Sequence, residues 1–318
     1  MRVNVLAWNS IKENIWKIPV IFWGLVIVIM ILGIVSPNSI RPNNMLNFTR
    51  QAAPLIVVGL GQMIVMMIGG LDLSVAGIVI FVNIIAAKQM ANNPANIASG
   101  VIMCLATGIL IGLVNGILTS KFKLSAFVVT LAMSILLLGI TMIYCGGAPV
   151  GSIPAEFRVI GNGFTGSIPN AAIVWMFVAV CVGVLLKITP FGRYLLSVGV
   201  NPFAAYQSGV NYEAVQISAY VLCGFLSAIG GLQVAAYIGT GTFELGTDYQ
   251  MLSIAVAILG GSVFAGGKGS IVGTIIASLF MMVTFSLVAA LRMGAGEQKI
   301  VMGVIILAAL IINTFKKD

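Results

Sequence analysis

The stretch GGSVFAGGKGSIVG, residues Gly260–Gly273, places a glycine-rich run with one lysine between two long apolar runs. Glycine followed by lysine raises the question of a phosphate-binding P-loop, which requires the pattern G-x-x-x-x-G-K-[ST]. The residue five before Gly267 is Ser262 instead of glycine, and Lys268 is followed by Gly269 instead of a hydroxyl residue that could hold magnesium. Two defining positions are wrong, so the stretch does not indicate a nucleotide site.

The composition around this stretch is that of a membrane protein. Of 318 residues, 60% are hydrophobic and only 8% are charged, against about 25% charged residues in soluble domains. The net charge of +8 then reports orientation in the bilayer, because cytoplasmic loops collect Lys and Arg. Nucleic-acid binding has no support, since no basic run with interleaved aromatic residues occurs. We therefore expect a polytopic protein surrounded by the lipid bilayer.

Several kinds of chemistry are excluded by the residue types. Histidine is absent, which excludes histidine zinc sites, Ser-His nucleophiles and histidine proton relays. The four cysteines lie far apart without C-x-x-C spacing, so neither a metal site nor a redox pair is indicated. The chain also lacks H-E-x-x-H and G-x-S-x-G motifs. We expect no catalytic residue, no metal and no cofactor.

Apolar runs of the length that crosses a membrane predict an all-α polytopic fold with about ten transmembrane helices. The runs lie near residues 19–36, 52–69, 75–91, 97–119, 126–145, 171–187, 214–238, 249–265, 270–290 and 298–315. We expect residues 1–318 to form a single transmembrane domain. Residues 1–18 are predicted to be a cytoplasmic interfacial segment before the first span.

The basic residues predict the orientation. With the N-terminus inside, the inner face receives Lys12, Lys17, Lys121, Lys123, Lys187, Arg193, Lys268, Lys316 and Lys317, and the outer face receives Arg41, Arg50, Arg158 and Arg292. An even number of spans puts both termini on one side, so we expect both in the cytoplasm. Of two long loops, residues 146–170 then lie outside. Residues 188–213 lie inside, and their composition is typical of a loop with a partner.

Two glycine pairs divide apolar runs in the same manner. Gly69-Gly70, in MMIGGLDLSVAGIVIF, and Gly260-Gly261 each end an apolar run and are followed by small residues and a new run. Transporters are often built from two related halves with broken helices at corresponding positions. The pairs predict broken helices in two loosely related halves and leave open whether these halves are a true repeat.

The glycines of the first stretch fit a membrane better than a nucleotide. Glycine lets a helix break and lets two backbones cross closely. We interpret Gly260, Gly261, Gly266 and Gly267 as a tight connection at the membrane edge, with Lys268 reaching the inner surface.

Asp72, in GGLDLSVAG, is the most informative single residue. It is a charge between two apolar runs, where insertion costs about 2.5–3.5 kcal/mol. In one interpretation Asp72 or Ser74 caps the following helix. In the other, Gly69, Gly70, Asp72 and Ser74 form part of the substrate path or its gate. Both interpretations stay open.

Three acidic residues fall on the predicted outer face, Glu156, Glu244 and Asp248. They are either solvated loop charges or a docking surface for an extracytoplasmic partner.

Three stretches resemble motifs of bacterial ABC sugar permeases and occur in the same order: GGLDLSVAG, GRYLLSVGVNPFAAYQSGVN and AILGGSVFAGGKGSIVGT. The chain closely resembles the ribose-type branch, which also includes permeases for other monosaccharides and for autoinducer-2. The resemblance runs from about Pro37 to Lys317. One departure is Gly199-Val200-Asn201-Pro202, where the family often has Gly-Gly-Asn followed by Glu.

The resemblance implies a permease of the type II ABC importer kind, without its own ATPase, in the bacterial cytoplasmic (inner) membrane. The implied partners are a second permease copy or a paralogue, a cytoplasmic ABC ATPase with two nucleotide-binding domains, and a periplasmic sugar-binding protein. The inner loop, residues 188–213, would hold the coupling helix that inserts into the ATPase.

The coupling residues expected from this resemblance are Asn201, Ala204, Ala205, Ser208 and Gly209. The small Ala204, Ala205 and Gly209 are expected to let the helix sit close against its partner. An ion-coupled secondary transporter is the alternative function, although such a protein needs several ionisable groups inside its spans and only Asp72 is a fair candidate. The transported solute stays open.

Overall fold

The computed structural model describes residues 20–243 and 246–315. The expectations for the interfacial segment 1–18, for Glu244 and for Lys316 and Lys317 fall outside these residues. The α-helices are α1 (Val20–Val35), α2 (Pro42–Met67), α3 (Val75–Met90), α4 (Ile97–Ser120), α5 (Ala126–Cys145), α6 (Ala155–Asn162), α7 (Asn170–Lys187), α8 (Pro190–Val200), α9 (Pro202–Gln207), α10 (Tyr212–Ile238), α11 (Tyr249–Leu259), α12 (Ile271–Ala290) and α13 (Ala295–Phe315). Short 3-10 helices cover Pro37–Ile40 and Pro94–Asn96, and strands β1 (Phe164–Thr165) and β2 (Ile168–Pro169) form an antiparallel hairpin.

The all-α polytopic prediction is confirmed, and each predicted span coincides with a helix. Among the described residues, α2, α4, α5, α7, α10 and α12 are long and apolar enough to cross a membrane. Helices α1, α3 and α11 are apolar but shorter. The count of about ten spans therefore stays a prediction.

One span is predicted to extend too far toward the C-terminus. The run 249–265 is predicted to cross the membrane as one helix, but α11 ends at Leu259. Gly261 then takes a φ of +105°, which a right-handed helix cannot accommodate. The predicted outer loop 146–170 also contains α6 and the hairpin, which its Gly- and Pro-rich composition did not indicate.

The centre of the molecule is formed by α2, α3 and α10, which bury most of their side chains. Helix α4 crosses α10 with a glycine every fourth residue, at Gly108, Gly112 and Gly116. A Cβ on Gly112 would collide with the Tyr220 carbonyl oxygen, and one on Gly116 would lie 2.8 Å from the Cα of Ile217. Small residues at this spacing let helix backbones approach closely without any hydrophobic driving force.

The loops gather at two opposite ends of the bundle. At one, called the α9 end, the Ser120 hydroxyl donates to the Glu213 carbonyl at 3.3 Å, and residues 188–213 and 260–270 lie together. At the other, called the α6 end, the Ile153 N–H donates to the Gly239 carbonyl at 3.0 Å. Asn162 there donates to the carbonyl of Tyr237 at 2.9 Å. The predicted inner loop, residues 188–213, and the predicted outer loop, residues 146–170, therefore lie at opposite ends of the bundle.

Two lysines lie at the α6 end that the orientation argument did not count. Lys88 donates to the Tyr144 carbonyl at 2.8 Å, and Lys299 forms an ion pair with Asp248 at 3.8 Å. Within the described residues, basic side chains are consequently about as frequent at the α6 end as at the α9 end. The basic excess that predicts an inward α9 end therefore comes from the terminal segments, and orientation stays a prediction.

Candidate functional site

The break between α2 and α3 is built around one left-handed glycine. Helix α2 ends at Met67, and Gly69 takes a φ of +75°, which glycine adopts at little cost. The N–H groups of Ile68 and Gly70 donate to the Val65 carbonyl at 3.2 and 3.0 Å, which closes the end of the helix. The chain then runs without helical structure to α3.

Asp72 ties this break to the neighbouring helix. Its Oδ1 accepts from the backbone N–H of Ser74 at 2.9 Å and from the Ser74 hydroxyl at 2.6 Å. The Ser74 Oγ accepts from the Nδ2 of Asn115, on α4, at 2.8 Å. Asp72 Oδ2 and Asn115 Oδ1 are buried without a hydrogen-bond partner. The result is a short polar chain that fixes the start of α3 against α4.

Side chains from three helices contact the backbone of the break. The Tyr220 hydroxyl, on α10, donates to the Leu71 carbonyl at 3.3 Å. The Thr130 hydroxyl, on α5, lies 3.4 Å from the same oxygen and has its shorter bond, 2.7 Å, to the Ala126 carbonyl. The Gln62 amide, oriented with its nitrogen toward the Asp72 carbonyl, bonds the backbone of Asp72 at 3.0 and 3.3 Å. Irregular backbone inside a membrane requires such burial in protein.

These contacts favour a structural role for Asp72. Both Asp72 and Ser74 are fully buried, whereas Gly69 is exposed at the α9 end. Asp72 accepts from Ser74, the residue that immediately precedes α3, and so fixes the start of that helix. Ser74 makes no side-chain bond to the first turn of α3, so neither residue caps the helix in the way the capping interpretation expects. A role on the substrate path stays a prediction.

The predicted coupling residues form one wall of a surface cleft. The α8–α9 cleft has a volume of about 410 Å³ and is lined by Leu196, Ser197, Val200, Asn201, Ala204, Ala205, Ser208 and Val210. Asn201 accepts from the Ala204 N–H at 3.0 Å and so caps α9, and Pro202 occupies the first turn. Pro202, which departs from the family pattern, thereby suits the start of a short helix behind the capping Asn201.

Ala205 and Gly209 differ from Ala204 in how they are placed, and their role in coupling stays a prediction. Ala205 is only 5% exposed and packs into the core beneath α9, so α9 presents Ala204 to solvent instead. Gly209 takes a φ of +81° and turns the chain toward α10 outside the cleft. Phe203 and Tyr206 are each 70% exposed, and they form the apolar outer surface of the segment.

Glycines from the three separate motifs meet at the α9 end. This glycine junction consists of Gly69, Gly199, Gly266 and Gly267. A Cβ on Gly266 would lie 2.7 Å from the Gly199 carbonyl oxygen and 2.9 Å from the Gly69 nitrogen. The Gly267 N–H donates to the carbonyl of Met67 at 2.8 Å. The last turn of α8 therefore contacts both the end of α2 and the loop before α12 through backbone atoms.

The remaining residues of the predicted membrane-edge connection flank this junction. Gly260 packs against the start of α12, where its Cβ would lie 2.5 Å from the Thr274 nitrogen. Gly261 is exposed with a positive φ. Lys268 is exposed at the α9 end, and its place relative to a membrane surface stays a prediction.

The acidic residues Glu156 and Asp248 are exposed at the α6 end. Asp248 forms the 3.8 Å ion pair with Lys299, and both side chains are more than half exposed. Exposed pairs of this kind contribute little stability. Whether these acids are solvated charges or part of a docking surface stays a prediction.

Comparison with known proteins identifies the family. Residues 44–310 match the family model described as the permease component of the branched-chain amino acid transport system. The chain belongs to this family. It is 32% identical to the ribose import permease protein RbsC of Escherichia coli K12 over 298 residues, covering 92% of each chain. It is 27% identical to the galactose/methyl galactoside import permease protein MglC of Haemophilus influenzae over 330 residues, covering 98% of this chain and 96% of that protein. No solved structure matches the chain.

Sequence reasoning missed several residues that hold these permease elements together. Gln62, Asn115 and Tyr220 support the break, and the signal available for Asn115 was a lone amide inside the apolar run GLVNGIL. Gly199 lay within a quoted motif, but its contact with the ends of two distant segments is visible only in the fold.

Proposed function

We propose that this protein is the membrane-spanning subunit of an ATP-binding cassette importer that carries a monosaccharide into the cytoplasm. The observation that carries this conclusion is family membership over residues 44–310, joined to full-length similarity to permeases named for ribose and for galactose. The chain supplies the path, and a separate ATPase subunit supplies the energy. A pentose or a hexose is the proposed substrate class.

The α8–α9 cleft is the proposed contact with the ATPase. It is concave and mostly apolar, and exposed Phe203 and Tyr206 stand beside it. Aromatic side chains at such a surface are typical anchors of protein interfaces. A projecting side chain of the partner would enter the cleft past Ala204, while buried Ala205 keeps α9 seated on the core.

The glycine junction is the proposed route from the ATPase to the transport path. Backbone contact leaves no side-chain rotamers to absorb a displacement, so movement of α8 would be passed to the end of α2 and to the loop before α12. The break at Gly69 and Gly70 would then act as the gate, with Asp72 and Ser74 holding α3 in position.

Further partners and the topology belong to the same proposal. A second permease copy or a paralogue would complete the path, and the ATPase would carry two nucleotide-binding domains. A periplasmic sugar-binding protein would dock at the α6 end, which carries residues 146–170. The α9 end and both termini would face the cytoplasm, with about ten spans in the inner membrane.

The ion-coupled alternative is not favoured. The relatives are import permeases, and Asp72 is the one charged residue in the buried set of described side chains. A secondary transporter would place several ionisable groups inside its spans.

Reconstitution into vesicles tests the proposal. The permease would be incorporated with its cognate ATPase, and uptake of radiolabelled D-ribose and D-galactose would be measured with the cognate binding protein outside. We expect uptake only when ATP is present on the ATPase side and the binding protein is added. Uptake driven by a proton or sodium gradient without ATP would refute it.

A further inference from the structure

A cleft at the α6 end combines the chemical groups that recognise sugars. This α2–α10 cleft has a volume of about 300 Å³, and its polar and aromatic lining comes from Arg50, Gln51, Tyr237 and Tyr249. Pro54 and Val234 contribute an apolar part. Its size lies at the low end of the range of about 300–1,000 Å³ found for small-molecule sites.

The guanidinium of Arg50 is held in place at the edge of this cleft by two aromatic rings. Its Cζ lies 5.5 Å from the centre of the Tyr237 ring and 5.9 Å from that of Phe164, within the range of a cation–π contact. The Nε of Arg50 is buried without a hydrogen-bond partner. Because the Nε is closed to solvent, a ligand oxygen in the cleft would bond to the other guanidinium nitrogens, which are not among the buried donors without a partner.

We propose that the α2–α10 cleft binds a monosaccharide as it enters the permease. This inference rests on the proposed function, which supplies the substrate class. A sugar ring presents an apolar C–H face and a rim of hydroxyl groups. The face would lie against Tyr237 or Tyr249, and the hydroxyl groups would bond to Arg50, Gln51 and the tyrosine hydroxyls, which offer both donors and acceptors.

The location supports a site on the entry route. Tyr237 is the second-last residue of α10, 43% exposed, and Arg50 lies in the first half of α2. Phe164 belongs to the hairpin of residues 146–170, the loop proposed to face the binding protein. A sugar released at the α6 end would therefore meet the cleft before reaching the centre of the bundle.

The same end of the molecule provides a matched control. Lys88 Nζ lies 4.0 Å from the centre of the Tyr144 ring, so this pair is also a cation on an exposed tyrosine. Neither residue lines the α2–α10 cleft. If Arg50 and Tyr237 form a purely structural pair, replacing Tyr237 should affect sugar uptake no more than replacing Tyr144. If they belong to a sugar site, replacing Tyr237 should lower uptake and replacing Tyr144 should not.

Protection of an introduced thiol tests the cleft directly. Gln51→Cys, in a background without native cysteines, would be labelled with a membrane-impermeant maleimide in the presence of D-ribose, D-galactose or the open-chain ribitol. With sugar at about ten times Kd, we expect labelling about tenfold slower, because roughly one site in eleven stays open. Gln89→Cys, beside Lys88, should be labelled at an unchanged rate, and Tyr237→Ala should remove the protection of Gln51→Cys.

Transport gives the second readout. Tyr237→Ala should lower sugar uptake by about tenfold while ATP hydrolysis continues, which corresponds to about 1.4 kcal/mol of lost recognition, and Tyr144→Ala should transport normally. One result would overturn the cleft assignment and leave the proposed function intact. In it, sugar uptake is driven by ATP, neither sugar protects the thiol, and Tyr237→Ala transports at a normal rate. Absence of ATP-driven sugar uptake would instead refute the proposed function, because thiol protection is measured on the permease without ATP.

Discussion

Replacing Asp72 separates the role of its carboxylate as hydrogen-bond acceptor for Ser74 from a role for its charge. In Asp72→Asn, the amide oxygen can accept both bonds from Ser74 that Oδ1 accepts at 2.9 and 2.6 Å. Bonds to a neutral acceptor contribute about 0.5–1.5 kcal/mol each, against about 1.5–3 kcal/mol for a charged one. The burial cost of the charge is removed at the same time. We therefore expect a change in the free energy of unfolding within about 1 kcal/mol and near-normal uptake.

In Asp72→Ala the loss is larger and can be assigned to particular donors. Both Ser74 donors, its hydroxyl and its N–H, lose the Oδ1 acceptor. Each buried donor left unsatisfied costs about 1–3 kcal/mol. We expect a lower melting temperature and less folded permease in the membrane.

The assay combines thermal unfolding of the purified variants with uptake by the reconstituted importer. Asp248→Asn is the control, because that carboxylate is more than half exposed and forms the 3.8 Å ion pair with Lys299. If Asp72→Asn melts and assembles normally but no longer transports, the negative charge itself is required. That outcome would refute a purely structural role for Asp72 and favour a role on the substrate path.

Three other predictions concern coupling and topology. Ala204→Trp should fill the α8–α9 cleft and abolish co-purification of the ATPase at normal permease levels. Gln207→Trp, exposed on α9 outside the cleft, should leave co-purification unchanged. Equal binding of the ATPase by both variants would count against the cleft. Gly199→Ala should push apart the glycine junction at a cost of about 1–3 kcal/mol and reduce ATP-stimulated uptake. Gly139→Ala, where a Cβ meets nothing within 4 Å, should be silent, and an equally silent Gly199→Ala would contradict the coupling route. A cysteine at Ser152 should react with an impermeant maleimide from outside the cell, and labelling from inside alone would reverse the topology.

The positions of the helices could be predicted from the sequence because membrane helices are encoded locally. A segment in lipid must satisfy its own backbone hydrogen bonds, so a sufficiently long apolar run forms a helix whatever its neighbours are. The runs near 97–119 and 126–145 accordingly match α4 and α5 to within one residue. The glycine pairs also indicated where helices end. Glycine adopts a positive φ easily, as Gly69 and Gly261 do, and a right-handed helix cannot continue through it.

The sequence by itself thus determined an all-α membrane protein, the glycine pair that ends α2 and the three motifs that resemble those of its family. Only the tertiary structure decided which separated residues meet: Asp72 with Asn115 through Ser74, Gly199 with Gly266, and Arg50 with Tyr237. It also decided that Ala205 faces the core while Ala204 faces solvent. These pairings depend on how closely helices cross and how each is rotated about its axis. Both are set by packing between segments far apart in the chain, which no local pattern records.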